Sequence, residues 1–239
     1  MHSVGSINKL KVTIVVDNRS FKPSLIATWG LSMYIEADDT KILFDTNSSW
    51  NILKHNAEML QIPLEELDII FISHWHGDHT GGLKKLTSYL KSIGKKIEIY
   101  TPPGGRIKEV IRISNPKKIG NGLVSTGTMG TFTKEQSLIV NIREGPIVFV
   151  GCSHPGIKQI LKRVASVMGI KQIYGLIGGY HIDAYEATKV IEDLKSFNVK
   201  IVGPCHCTTD DAMRILATKL KNNFIQIYAG KTLEFSSHT

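Results

Sequence analysis

The alternation of apolar and polar positions predicts that the chain opens with strands. KVTIVV (11–16), LSMYIEA (31–37) and KILFDT (41–46) are rich in β-branched and aromatic residues, with turn residues between the last two. Apolar residues at helical spacing then predict a helix from Trp50 to Leu60. This order of strands and helices is typical of sheets that helices cover, so the pattern predicts the α/β class.

One unit recurs along the rest of the chain: a short apolar strand, a turn that carries histidine, and a helix. Its strands are DIIFIS (68–73), PIVFVG (146–151), QIYGLIGG (172–179) and KIVGP (200–204). The turns after them carry His74, His76 and His79, then His154, then His181, and finally His206. The candidate chemistry of the chain therefore lies in the turns that follow these strands.

Residues 102–135 break this pattern and are rich in glycine. Long loops in compact domains are usually functional or mobile, which favours a lid or a substrate loop. An ordinary β-meander with glycine turns explains the same composition equally well. The sequence leaves both interpretations open.

No linker or change of composition divides the 239 residues, so we predict one domain over residues 1–239. Apolar residues make up 42% and charged residues 21%, as in ordinary soluble globular domains. A chain of this length can bury a large core without disulfides or a structural metal. A metal site in this chain is therefore expected to be functional.

The formal net charge of +8 fits an anionic small-molecule substrate, although a lysine-rich solvated surface explains it as well. The lysines are spread along the chain without interleaved aromatic residues, so nucleic acid is not an expected partner. No long apolar run indicates a membrane span, and the first residues lack a signal-peptide pattern. The expected location is the cytoplasm, where the three cysteines are expected to stay thiols. Nothing in the sequence indicates the oligomeric state.

The segment SHWHGDHTGG concentrates candidate metal ligands. Its imidazoles and carboxylate belong to His74, His76, Asp78 and His79. Zn²⁺ favours such donors, and Mn²⁺, Fe²⁺ and Ni²⁺ are alternatives. Alternate residues of a turn, such as His74 and His76, can point toward one ion, and the next two ligands can face a second. Gly77 is expected to allow backbone angles that other residues avoid.

HWHGDH matches the HxHxDH signature of the metallo-β-lactamase superfamily, and further segments resemble that superfamily in the expected order. These segments are GCSHPGI (151–157), IGGYHI (177–182), PCHC (204–207) and YAGKTLEF (228–235). Together they resemble its branch of metal-dependent hydrolases, which includes archaeal proteins named dihydropterin-ribofuranosyl-aminobenzene-phosphate synthase, of the methanopterin pathway. The resemblance implies a four-layer αββα sandwich with one metal site at an edge of its two sheets.

The resemblance also implies up to two metal ions and assigns their ligands. His74 and His76 correspond to ligands of the first metal. Asp78, His79 and His206 correspond to ligands of the second. These assignments apply to the motif positions of this chain. They do not identify the substrate, because the HxHxDH signature is specific for the fold rather than for the reaction.

The chain departs from the superfamily pattern at the first metal. Most members have a histidine before the strand that corresponds to PIVFVG and an aspartate at its end. Here residues 125–137 contain no histidine, and the strand ends in Gly151-Cys152. We predict that His154 supplies the third imidazole, with Cys152 as the alternative ligand. Without a bridging carboxylate, the second ion is expected to bind more weakly than the first.

Further expectations concern residues near the predicted site. His181 follows a strand and could be a ligand, a proton donor or a wall residue. Asp45, after the KILF strand, resembles the superfamily aspartate that supports a ligand histidine. The resemblance implies that it accepts an N–H from such a histidine and so fixes its tautomer, unless it only forms a turn. The cysteines on either side of the PCHC histidine are expected to be packed thiols. His2 and His238 are expected to have no role.

Metal-dependent hydrolysis is the expected activity. A metal-activated water would attack an anionic small-molecule ester or phosphoester, with Asp78 orienting the nucleophile and His181 stabilising or protonating the leaving group. A pterin-related synthase or transferase could use the same metal site, and product analysis with and without a pterin donor separates the two. An RNA- or DNA-processing nuclease is the third candidate, which salt-sensitive RNA binding would support.

Overall fold

The computed structural model describes residues 4–236. His2 and His238, for which no role is expected, lie outside this range. Within it, no helix combines the length and the apolar character that a membrane crossing needs. Strands and helices alternate over the later part of the chain, as the recurring pattern predicts.

Two compact units make up the described chain. The N-terminal unit comprises Asn8–Ser114 and the residues from Tyr228 onward. The C-terminal unit comprises Asn115–Ile227 and the residues up to Ile7. A single domain over residues 1–239 stays a prediction, because a division into compact units does not decide whether they fold together.

A mixed sheet of seven strands forms the N-terminal unit. Its strands, numbered in chain order, are β1 (Lys9–Val16), β2 (Ser32–Ala37), β3 (Thr40–Phe44), β4 (Ile69–Phe71), β5 (Glu98–Thr101), β6 (Ile111–Arg112) and β13 (Thr232–Ser236). They lie in the order β13-β1-β2-β3-β4-β5-β6, antiparallel from β13 to β3 and parallel from β3 to β6. The strands predicted from the first apolar segments are confirmed as β1, β2 and β3.

Helices α1 (Trp50–Met59) and α3 (Leu83–Ser92) pack on this sheet, and the short α2 (Gly77–Thr80) and a 3-10 helix (Leu64–Glu66) lie between them in sequence. Each long helix buries residues three or four positions apart, the spacing of one helix face. The resulting core contains Leu53 and Ala57 of α1, Leu83, Leu86 and Leu90 of α3, and Leu43 and Ile70 of the sheet. The helix predicted at Trp50 is therefore confirmed together with its packing face.

The C-terminal unit contains a mixed sheet of six strands. These are β7 (Lys117–Gly120), β8 (Leu123–Ser125), β9 (Leu138–Ile142), β10 (Gly145–Val150), β11 (Gly175–Gly179) and β12 (Ile201–Cys205). They lie in the order β12-β11-β10-β9-β8-β7, with β10 to β12 parallel and β7 to β10 antiparallel.

The helices of this unit are α4 (Ile157–Met168), α5 (Ala184–Ser196), α6 (Asp210–Leu220) and a 3-10 helix (Lys221–Asn223). Side chains cap two of them. Asp183 and Glu186 form a capping box at the start of α5, and Thr209 accepts the backbone N–H of Ala212 at the start of α6. Because these caps satisfy backbone N–H groups, they determine where each helix begins.

The glycine-rich segment contains both a meander and a closed loop. Residues 117–142 hold the antiparallel strands β7, β8 and β9, which confirms the meander interpretation there. Between β8 and β9, Met129 and Glu135 exchange backbone hydrogen bonds of 2.8 and 2.9 Å. These bonds close a loop over residues 130–134, most of which is exposed.

Parallel strands bring the candidate residues of each unit to one edge of its sheet. Phe44 of β3 lies opposite Phe71 of β4, so the turns after these strands start side by side. In the other unit, the turns with His154, His181 and His206 follow three parallel neighbours, β10, β11 and β12. Binding residues typically gather at the carboxyl ends of parallel strands. The predicted α/β class is confirmed in both units.

Candidate metal-binding clusters

Asp45 organises the turn that carries the HWHGDH motif. It follows β3 and is fully buried, and its carboxylate accepts hydrogen bonds from the backbone N–H of Ser73 at 2.8 Å and from the Ser73 hydroxyl at 2.6 Å. His79 Nδ1 lies 2.6 Å from the same carboxylate. The contact predicted for Asp45 is thus confirmed. Because the carboxylate holds the proton on Nδ1, the lone pair of His79 is directed to Nε2, where a metal would bind.

The four motif residues lie together in the N-terminal unit. His74 Nε2 lies 3.1 Å from His76 Nδ1, and the other ring nitrogen of His74 lies 2.9 Å from the Ser73 hydroxyl. The rings of His74 and His79 are 4.1 Å apart between centroids, and His79 Nε2 lies 3.7 Å from a carboxylate oxygen of Asp78. Imidazole nitrogens and a carboxylate this close together suit divalent transition metals, so these residues fit the predicted ion.

Burial differs across this first cluster. His74 and His79 are buried, whereas Asp78 is partly exposed and His76 is exposed. One side of the cluster is therefore buried in the protein, and the other side faces solvent. Catalytic metal sites need such an accessible side, because one coordination position must stay open for water or substrate.

A second cluster of metal-binding side chains lies in the C-terminal unit, on the turns after β10, β11 and β12. Its donor atoms form two triplets, each within 4.8 Å: Cys152, His154 and His181, and Cys152, His206 and Cys207. His154 and His206 are the ligands that the sequence predicts in this unit. The cysteines add sulfur donors, which zinc and softer metals bind, so this cluster also fits a metal.

Cys207 and His181 form a polar pair in the second cluster. A hydrogen bond with Cys152 and, to a smaller extent, one with His181 together lower the pKa of Cys207 to about 5, against the opposing effect of burial. The contact with Cys207 raises the pKa of His181, although burial opposes this. The lowered pKa favours the thiolate form of Cys207 beside the His181 ring. Of the two cysteines expected to be packed thiols, Cys205 is buried and Cys207 is half-buried. Whether either of them binds metal stays a prediction.

No motif marks Glu135, yet it supports the second cluster. It is fully buried. Its carboxylate accepts four backbone hydrogen bonds of 2.9–3.2 Å, from Gly151, Cys152, Ser153 and His154. One charged group thereby fixes the turn that carries two candidate ligands. The sequence signal for this role is an acidic residue in a glycine- and threonine-rich loop, which is too common to be specific.

Several candidate residues have left-handed backbone conformations. Asp45, Ser153, His181 and His206 have φ angles between 50° and 58°. Such angles are uncommon for residues other than glycine, store about 1–3 kcal/mol of strain each, and cluster at functional sites. Gly77 has no left-handed conformation, and a Cβ there would meet no atom within 4 Å, so the expectation for Gly77 is wrong.

Asp45→Asn is expected to weaken metal binding by about 10–100-fold. The amide has the size of the carboxylate but lacks its charge, so it no longer favours the proton on Nδ1 of His79. The measurement is metal affinity by competition with a chromogenic chelator. Asp17→Asn is a matched control, because Asp17 is fully buried in the same unit and also accepts a backbone N–H. Equal losses in the two variants would mean that Asp45 acts through stability alone.

The structure places every predicted site residue in one of the two clusters. The first contains His74, His76, Asp78 and His79, and the second contains His154, His206 and the catalytic candidate His181. Each cluster brings together donor atoms of the types that metals bind. The assignment of individual ligands to individual ions stays a prediction.

Comparison with known proteins gives the relatives of the chain. A family model described as the metallo-beta-lactamase superfamily matches residues 30–206. A 7,8-dihydropterin-6-methyl-4-(beta-D-ribofuranosyl)-aminobenzene-5'-phosphate synthase from Methanocaldococcus jannaschii is 26% identical, over 98% of this chain and 99% of its own. The crystal structure of Tm1679, described as a metal-dependent hydrolase of the beta-lactamase superfamily, has 25% identity and a TM-score of 0.77, covering 95% of this chain and 100% of that one.

A further structure shares the fold alone. YhfI from Bacillus subtilis, a metallo-beta-lactamase fold protein, is 15% identical with a TM-score of 0.69, covering 95% of this chain and 100% of that one. The fold that the motifs predict is therefore confirmed, as is the resemblance drawn from HxHxDH. The matched range 30–206 begins two residues before β2 and ends at the histidine of PCHC, so it includes the predicted ligands of both clusters. The chain belongs to the metallo-β-lactamase superfamily.

Proposed function

We propose that this chain is a metal-dependent hydrolase that acts on an anionic small-molecule ester or phosphoester. The observation that carries the proposal is the first cluster, in which the donors of HWHGDH lie together and the Asp45 carboxylate lies 2.6 Å from Nδ1 of His79. The description of Tm1679 as a metal-dependent hydrolase supports the same reaction class. The net charge of +8 supports an anionic substrate.

The proposed ligands follow the motif positions. His74, His76 and His154 would hold one ion, and Asp78, His79 and His206 would hold a second. Zn²⁺ is the proposed metal because imidazole and carboxylate donors suit it, with Mn²⁺, Fe²⁺ and Ni²⁺ as alternatives. When bound, such an ion lowers the pKa of a water molecule and polarises an acyl or phosphoryl oxygen.

The side chains of the protein then position the reactants. The partly exposed carboxylate of Asp78 accepts a hydrogen bond from the attacking water and orients it toward the substrate. His181 donates a proton to the leaving group, a role that its pKa favours because the hydrogen bond with Cys207 raises it. Asp45 and Glu135 act through other residues, by fixing the ring of His79 and the turn of His154.

The test combines metal analysis with an activity screen. Elemental analysis of the chain, purified without chelator, is expected to find at least one transition metal. A screen over phosphoesters, thioesters and lactones is expected to find hydrolysis that chelation removes and Zn²⁺ restores. Hydrolysis that continues after complete metal removal would contradict the proposal.

A pterin-related synthase or transferase is the second candidate, and the name of the Methanocaldococcus jannaschii relative is the observation that favours it. The ligand set does not separate condensation from hydrolysis, because both reactions need the same polarised oxygen. Product analysis with and without a pterin donor separates them. A new condensation product that depends on the donor would replace the hydrolase proposal.

Two metal-binding steps of unequal affinity are expected in the metal-free chain. A bridging carboxylate offsets the repulsion between two ions about 3.5–4 Å apart, and the chain has Cys152 where the superfamily has that aspartate. Cys152→Asp is expected to tighten the weaker step. Cys152→Ser, which removes the thiol without adding a carboxylate, is expected not to. Calorimetric titration measures both steps, and equal high affinities in the wild type would contradict the argument.

A further inference from the structure

A cleft of about 740 Å³ runs beside His154 in the C-terminal unit. One wall is a face of α4, and the other is the closed loop over residues 130–134. The walls include Lys162, Arg163 and Ser166 of α4, and Thr131, Phe132 and Thr133 of the loop. Its volume lies within the range of small-molecule sites. Apart from His154, no residue of this cleft has a part in the proposed chemistry.

The charge of this cleft favours an anion. Lys162 and Arg163 line it, and none of the described residues that line it is acidic. The guanidinium of Arg163 donates to the carbonyl of Thr126 at 3.3 Å, which holds it in place. A guanidinium has five N–H donors, so this bond leaves it able to bind a phosphate.

A neighbouring cleft of about 790 Å³ also borders His154 but has a different charge. Its charged lining residues are Lys158, Lys189, Glu186, Glu192 and Asp193. Lys158 lies 3.2 Å from a carboxylate oxygen of Asp193, so part of its charge is already matched. Of the two clefts beside His154, the first is therefore the better anion site.

Phe132 adds an aromatic ring to the first cleft. Its relative exposure is 102%, although a phenyl ring gains about 1.5–3 kcal/mol on burial. The loop that holds it has a defined shape. Met129 and Glu135 close its base, and Gly130 has a φ of 89° and approaches Thr133 so closely that a Cβ would lie 2.3 Å from its carbonyl oxygen. A ring on such a loop is pre-organised to stack on a planar ligand.

We propose that this cleft binds a ligand in which a phosphate is joined to an aromatic ring. Lys162 and Arg163 take the phosphate, and Phe132 stacks on the ring. The inference rests on the proposed function, because it makes the cleft beside His154 the substrate site. Glu135 links the two parts: its backbone closes the loop, and its side chain holds the turn of His154. The substrate class is then an aromatic phosphoester.

The test is calorimetric titration of the metal-loaded chain with phenyl phosphate, and with inorganic phosphate as the ligand without a ring. Lys162→Ala is expected to weaken phenyl phosphate binding about tenfold, through loss of a charge-assisted contact. Phe132→Ala is expected to weaken it about fivefold and to leave inorganic phosphate unchanged. Lys158→Ala removes the same charge from the same helix in the neighbouring cleft and is expected to bind as the wild type does.

Several outcomes would overturn the proposal. The first is that the wild type does not bind phenyl phosphate at millimolar concentration. The second is that Lys162→Ala and Phe132→Ala bind it with unchanged affinity. The third is that Lys158→Ala loses as much affinity as Lys162→Ala, or more. Metal content and hydrolysis are measured on the same samples. A chain without metal-dependent hydrolysis whose binding still responds to Lys162→Ala and Phe132→Ala would refute the proposed function alone. An active chain whose binding ignores both variants would refute the cleft alone.

Discussion

Asp78→Asn is expected to lower kcat/KM by about a thousandfold or more. The substitution removes the negative charge of a proposed metal ligand and the acceptor that orients the attacking water. The fold is expected to stay intact, because Asn has the same size and the backbone carbonyl of residue 78 still accepts the N–H of Leu31. The side chain is also partly exposed, and the buried Nε2 of His79 lies 3.7 Å from its carboxylate, beyond hydrogen-bond distance. The measurements are turnover, metal content and the midpoint of thermal unfolding.

Asp39→Asn is the control for this prediction. It makes the same change of charge at an exposed position of the same unit and is expected to leave turnover unchanged. Near-normal turnover in Asp78→Asn would remove this carboxylate from the mechanism. A collapse of the unfolding midpoint would instead mean that Asp78 is needed for the fold, contrary to the contacts around it.

Glu135→Gln is expected to lower the free energy of unfolding by about 3–5 kcal/mol. The substitution replaces a charged acceptor with a neutral one, which weakens its hydrogen bonds. The amide N–H groups of the new side chain also face at least one of the four backbone N–H donors. That donor is then buried without an acceptor. For a chain of this size the unfolding midpoint is expected to fall by roughly 10 °C. Metal affinity is expected to fall as well, because the turn of His154 loses its support.

Glu144→Gln is the matched control in the same unit. Glu144 is exposed in the turn between β9 and β10, so the same substitution there is expected to change the midpoint by less than about 2 °C. A variant of Glu135 that unfolds with the wild type would show that the four backbone hydrogen bonds contribute little. Unchanged metal affinity with reduced stability would assign Glu135 to the fold and not to the position of His154.

The first cluster could be predicted from the sequence because its ligands are neighbours along the chain. Residues 74–79 contain the whole HWHGDH motif, so a single turn after a strand places the donors together. Asp45 could be found as well, because it follows the apolar segment KILF at the position of the superfamily aspartate that it resembles. The alternating and helical patterns of apolar residues also predict the strands β1 to β3 and the helix α1, because each of these elements buries one regular face.

The second cluster is harder to predict, because three separate turns contribute to it. The pairing of Cys207 with His181 depends on the register of β11 and β12, which sequence spacing does not contain. Glu135 is harder still. Its partners are backbone N–H groups, which every residue except proline has, so no partner side chain marks them in the sequence. The structure is needed to show that one carboxylate receives all four.

The left-handed backbone conformation of the site histidines has a consequence for laboratory evolution of this chain. At the exposed His181, glycine or asparagine would relieve backbone strain without leaving a cavity. A library selected only for survival on heating would therefore accumulate those residues at this position, while a library selected for turnover would keep the imidazole. The two populations would diverge at residue 181, where heat resistance and catalysis favour different side chains.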